Sequence, residues 1–349
     1  LHHYPERLCL VQIAAGADAY LVDPLPALDL APLGAVFGDA GILTVVHAGD
    51  NDLAVLKRRF AFAFARLFDT SIAARLLGIR ELGLDVVLQR FLGVPPARSR
   101  QKDDWSVRPL TPDQEAYAVG DVRHLIDLKD ALLAELRARG RERWALEESA
   151  ALAALVVSER PVDPDAYLKI RGARALPPRS LAVLRALFAM RLRLAVARDR
   201  PPFMIVGDDA LREIAARRPR DVAALLAVPG CTQRMVDRHG AAILGAVEEG
   251  EVAPGSELPF PPRRPPPPVV PAPVRRRAEA LRAWRAAAAT RLDLDPGVLL
   301  PGRLIDLIAA VPRLDREALE GIEGLRAWRI RELGDELIAA VAPHAEERT

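Results

Sequence analysis

Tyr117 and Asp121 stand four residues apart in the stretch "YAVGDVRHL", and a helix of ~3.6 residues per turn carries both polar tips on one face, within reach of a common ligand. Asp is a mediocre helix former, so Asp121 among apolar positions suggests a site, with a solvated surface carboxylate as the alternative. Tyr117 by itself reads as a half-buried core aromatic as readily as a functional group. A second acidic pair follows the apolar run "ILTVV". Asp50 is placed to cap the coming helix, and Asp52 sits in its first turn, where the helix dipole favours a carboxylate; taken alone, both read as capping. His47, at the strand end, has two readings, substrate contact or buried structural histidine. Trp105 and Arg108 precede the Tyr117 helix as a packing aromatic and a phosphate-reaching cation. Asp69 reads as the cap of its own following helix. The six histidines form no zinc pattern, and Gly49 and Gly120 belong to no phosphate-loop signature.

The elements that must position these residues are strands first, helices afterwards. "RLCLVQIA" and "AYLVDP" flank a turn and predict a β-hairpin; "GILTVV" and "LFDT" predict two more strands. "NDLAVLKRRFAFAFARL", "SIAARLLG" and "GLDVVLQRFLG" carry helical spacing, which together with the strands predicts an α/β sheet domain. Thr111 as N-cap, Pro112 at the first helical position and Gln114 at the capping-box position predict the start of one long helical run containing Tyr117 and Asp121. From Trp144 onward the pattern is helical, except for ten prolines between Pro254 and Pro273, which predict an extended linker. On either side of it a degenerate repeat places a helix opening "LRA", a break, a helix of "L..IA" type, a proline and a short helix closing on Gly.

At 349 residues the chain predicts two or three domains, and no stretch reaches the ~20 uninterrupted apolar residues of a membrane helix. Cys9 and Cys231, its two cysteines, lack pair spacing, which fits a reducing cytoplasm. The net charge of +2 is unevenly spread. Residues 180–250 hold eleven Arg against eight acids, residues 251–277 five against two, and residues 278–349 ten against thirteen. The basic share sits in the middle.

Taken in order, "VVHAGDNDLAVLKR", "LFDTSIAARLLG", "DWSVRPLTPDQEAYAVGDVRHLIDL" and the two repeats closely resemble ribonuclease D of the DEDD exonuclease superfamily, tyrosine subclass, with tandem HRDC modules. The resemblance spans nearly the whole chain. It implies a ribonuclease H-like α/β exonuclease domain over residues 1–143, connecting helices and a first HRDC bundle over 144–250, a Pro/Arg-rich linker over 251–277 and a second bundle over 278–349. It further implies a 3′–5′ exoribonuclease releasing mononucleotides with two divalent ions, Mg²⁺ or Mn²⁺. Carried over by motif, Asp52 and Asp121 are metal ligands and Tyr117 orients the attacking water; His47, Trp105 and Arg108 are the candidate substrate contacts. Hard cations take oxygen ligands, and paired ions ~4 Å apart serve both the attacking and the leaving oxygen.

The Asp-x-Glu motif that the resemblance places on an opening strand has no counterpart before "HHYPERLCLVQIA". The sequence thus reads as N-terminally truncated, and the expectation is weak metal binding and slow hydrolysis by this polypeptide. RNA, including tRNA precursors and other structured 3′ ends, is the implied partner, with no membrane. Counterion release assigns RNA binding to the basic first module and linker, including Arg263, Arg264 and Arg275, and leaves the acidic second module to pack or to bind protein. Two other readings share the motifs: a non-catalytic RNA-binding scaffold and a DNA-directed exonuclease.

Overall fold

A computed structural model describes residues 2–26, 28–157, 163–260 and 270–344. Its four strands all fall within the first 70 residues. Strands β1 (Val11–Ala15) and β2 (Asp18–Val22) form the expected antiparallel hairpin, with Val11 opposite Val22 and Ala15 opposite Asp18. Strands β3 (Thr44–Val46) and β4 (Leu67–Asp69) pair in parallel, with Val46 opposite Asp69. Among the described residues the sheet therefore stands in two separate two-stranded pieces rather than one.

Helix α1 (Ala31–Gly38) precedes β3 and has no counterpart in the sequence pattern. Helix α2 (Asp50–Phe60) stops well short of the predicted run to Leu67, at Ala61 with φ 54°. The reason is the alternation Phe-Ala-Phe-Ala-Phe: an extended chain turns every second residue inward, and Phe62 and Phe64 are buried with ring centroids 5.9 and 5.0 Å from Phe37. Helices α3 (Thr70–Leu76) and α4 (Leu84–Leu92) match the predicted pair. The long run after Thr111 divides at His124 into α5 (Pro112–Arg123) and α6 (Leu125–Ala138), followed by α7 (Glu142–Ala153). Thr111 and Gln114 do form a reciprocal capping box.

The repeat is realised as two series of five helices. The first comprises α8 (Pro178–Arg198), α9 (Pro202–Ile205), α10 (Asp208–Arg217), α11 (Val222–Leu226) and α12 (Gln233–Val252). The second comprises α13 (Ala272–Leu292), α14 (Pro296–Leu299), α15 (Gly302–Ala310), α16 (Arg316–Glu320) and α17 (Ala327–Val341). Both long opening helices end on a left-handed aspartate, Asp199 at φ 49° and Asp293 at φ 50°.

The chain forms two compact units. One joins the first helical series to residues 1–9 and 102–106. Its core includes Leu184, Leu187, Leu211, Ile214 and Ile243, and its short segments are tied in by His3, 2.7 Å from Asp199 Oδ2 and 2.6 Å from Ser106 Oγ. Ser106 in turn hydrogen-bonds Asp104 and holds its carboxyl down at about 2.

The other unit joins the strand-bearing domain to the second helical series in one continuous core. Trp144 of α7 stacks on Trp328 of α17 with centroids 4.3 Å apart. Glu148 accepts from Trp328 Nε1 at 3.0 Å and from the buried Arg329 guanidinium, while Glu147 accepts from the Trp328 backbone N–H at 2.7 Å and from Arg331. Gly78, at φ +83°, faces the carbonyl of Asp293 so closely that a Cβ would lie 2.2 Å from that oxygen. The acidic second module, expected to pack or to bind protein, packs within the chain.

Candidate active site

The loop that carries Asp52 is set by the parallel pair. Ligands in α/β folds gather beyond the carboxyl ends of such strands, and "HAGD" is the loop that leaves β3. Ala48 is held at φ 52°, and Gly49 is the N-cap of α2 without a side-chain cap. A Cβ at Gly49 would approach Val46 Cγ2 to 2.7 Å, so the sharp exit from the strand requires glycine. Asp50, expected as the cap, is instead the first residue of α2, because Gly49 already occupies the capping position. Asp52 lies in the first turn as expected.

Tyr117 and Asp121 share a face of α5, which packs against the β1–β2 hairpin. Burial pushes the Asp121 carboxyl up to about 6. Tyr117 is raised first by burial and then by the nearby Asp121 charge, with hydrogen bonds from Ser99 and Gln101 opposing the rise. Asp85, in the first turn of α4, adds a further negative charge close enough to raise Tyr117. The structure thus brings Tyr117 and Asp121 together and surrounds the phenol with Ser99, Gln101 and Asp85, none of which carries a sequence signal.

The remaining candidates are placed differently. Both ring nitrogens of His47 are engaged, Nδ1 at 2.8 Å from Thr70 Oγ1 and Nε2 at 2.7 Å from the Leu82 carbonyl, which is the structural alternative of its two readings. Arg108 lays its guanidinium on Asp23 at the end of β2, at 2.5 and 2.9 Å, so a phosphate would have to displace that carboxylate. The same pairing holds the Asp23 carboxyl below its ordinary range. Trp105, three residues earlier, belongs to the other compact unit.

Asp52 and Asp121 are hard oxygen donors of the type Mg²⁺ and Mn²⁺ take. A carboxylate whose charge is penalised by burial fits a group that gains a cation. Donor type fits; among the described residues no three His, Cys, Asp or Glu side chains group closely enough to hold a metal. No helix among them is long and apolar enough to cross a membrane.

Known proteins resemble this chain over nearly its whole length. A family model described as a 3′–5′ exonuclease matches residues 1–137, and the HRDC domain model matches residues 180–247 and 274–341. Ribonuclease D of Gluconacetobacter diazotrophicus is 34% identical over 345 residues, covering 97% of this chain and 84% of the relative. That of Acidiphilium cryptum is 32% identical over 340 residues, covering 96% and 83%. The crystal structure of Escherichia coli RNase D, described as an exoribonuclease involved in structured RNA processing, aligns with a TM-score of 0.65 at 26% identity, over 99% of this chain and 91% of that one. A protein from Bifidobacterium adolescentis aligns with a TM-score of 0.80 at 25% identity, over 98% and 89%.

Proposed function

The chain belongs to the ribonuclease D family of 3′–5′ exoribonucleases, and from that premise we propose that it trims structured RNA 3′ ends, tRNA precursors among them, in the cytoplasm. The observation that carries the site assignment is the pairing of a half-buried, charge-penalised Asp121 with Tyr117 one turn away. Asp52 and Asp121 are assigned as ligands of divalent ions, Mg²⁺ or Mn²⁺. When bound, such ions supply the acidity of the attacking water. Tyr117 remains a neutral phenol at physiological pH, since its shift is upward; it orients that water by hydrogen bonding rather than removing its proton. Ser99 and Gln101 fix the phenol in turn.

The first helical module, with the linker, grips RNA through its excess of Arg. Arg263 and Arg264 lie outside the described residues; Arg275 stands in the first turn of α13. Progressive shortening of 5′-labelled RNA, compared with Asp121→Asn and with a DNA strand of the same sequence, tests the assignment. Loss of activity in the variant and preference for RNA support it; equal turnover by both proteins overturns it.

A further inference from the structure

Asp69 is expected only to cap α3, and it does: Oδ1 accepts from the backbone N–H groups of Ser71 at 2.8 Å and Ile72 at 3.1 Å. The same carboxylate also reaches back to the loop after β3. Oδ1 accepts from Ala48 N–H at 3.2 Å and Oδ2 from Gly49 N–H at 2.9 Å. One carboxylate, 1% exposed, therefore gathers four backbone donors from two segments. Two of those donors belong to the left-handed Ala48 and to the N-cap of the helix whose first turn bears Asp52.

We propose that Asp69 is a positioning residue for Asp52, holding the Ala48–Gly49 turn so that the first turn of α2 presents its carboxylate; this rests on the reading of Asp52 as a metal ligand. Surrounding bonds fix the clamp itself. The Asp69 N–H donates to Ser149 Oγ at 3.1 Å, and Thr70 Oγ1 donates to the Val46 carbonyl at 3.0 Å. A left-handed non-glycine residue persists only where its surroundings over-determine it, and the Asp69 carboxylate is the group that does so at Ala48.

Capping and clamping separate by substitution. In Asp69→Asn the amide oxygen, placed at Oδ1, keeps the Ser71, Ile72 and Ala48 bonds, and Asn is as good a cap as Asp. The NH₂ then meets the Gly49 N–H, donor against donor. Asp69→Ser keeps a capping hydroxyl too short to reach either loop amide. The test combines amide hydrogen exchange across residues 46–53 with Mn²⁺ titration followed by water-proton relaxation, a readout that registers weak binding without turnover. Both variants are expected to keep a cooperative unfolding transition, to exchange about tenfold faster at Gly49 and to bind Mn²⁺ about 10- to 100-fold more weakly, as loss of an orienting partner does. Unchanged exchange at Gly49 in Asp69→Asn overturns the clamp. Faster exchange with unchanged Mn²⁺ affinity overturns the positioning role, and Asp52→Asn run alongside separates the causes. If Asp52→Asn loses Mn²⁺, only the link from Asp69 fails; if it does not, the reading of Asp52 as a ligand fails with it.

Discussion

Replacing Asp121 by Asn should make the metal-free protein more stable, and by an amount that depends on pH. The Asp121 carboxyl is raised from its ordinary 3.8 to about 6 by burial. At 1.36 kcal/mol per unit this corresponds to about 3 kcal/mol as an upper bound, reduced to roughly 1–3 kcal/mol because the side chain keeps part of its surface in water. The sign follows from linkage: a carboxyl raised in the folded state favours folding when protonated, so its contribution is fully present below the unfolded value of 3.8 and is lost as pH rises through about 6. Asn carries no charge to bury. Urea unfolding in EDTA should therefore show Asp121→Asn more stable than the parent by roughly 1–3 kcal/mol at pH 7.5, with the difference shrinking toward pH 4. Saturating Mn²⁺ should narrow the gap at pH 7.5, because a cation offsets the same penalty in the parent alone. A stability difference equal at pH 4 and pH 7.5 would refute the argument that burial of the charge is what the carboxylate costs.

Tyr117→Phe should lower turnover by on the order of 10²-fold while leaving RNA affinity unchanged, since it removes orientation rather than binding; single-turnover kinetics set against filter binding checks this. Glu148→Ala leaves the buried Arg329 without its carboxylate and should cost about 3–5 kcal/mol in chemical denaturation, more than Glu147→Ala, whose Arg331 partner is exposed. Changing Arg263, Arg264 and Arg275 together to Glu should weaken RNA binding and flatten its dependence on salt by about 0.7–0.9 in logarithmic slope for each phosphate that is no longer neutralised. An unaltered slope would remove these three arginines from the RNA-binding surface.

Local chemistry is what the sequence discloses best. Thr111, Pro112 and Gln114 announce the start of α5 because a capping box is complete within four residues, whereas most of the proline run expected to form a linker, residues 261–269, lies outside the described residues. Helix α2 is overextended in the sequence reading because "AFAFA" satisfies a helical period and an alternating one at once, and only Phe37, supplied by a separate helix, decides between them. Tyr117 and Asp121 are legible as a pair through their spacing. Their neighbours Ser99, Gln101 and Asp85 are not, because the segments that bring them near are joined by tertiary packing. Asp69 announces its cap and conceals its grip on Ala48 and Gly49, about 20 residues upstream. Arg108 reads as available to phosphate because Asp23, its partner, is 85 residues away.

The continuity of Trp144 with Trp328 across the two ends of one unit bears on what happens when the backbone is cut. Cleavage within residues 261–269 should yield two polypeptides that copurify through gel filtration and separate only in denaturant, the C-terminal piece completing the nuclease body as a fragment complements a split enzyme. The two repeats, alike in helix order, have thus ceased to be interchangeable: transplanting the first into the place of the second would leave an indole without its mate.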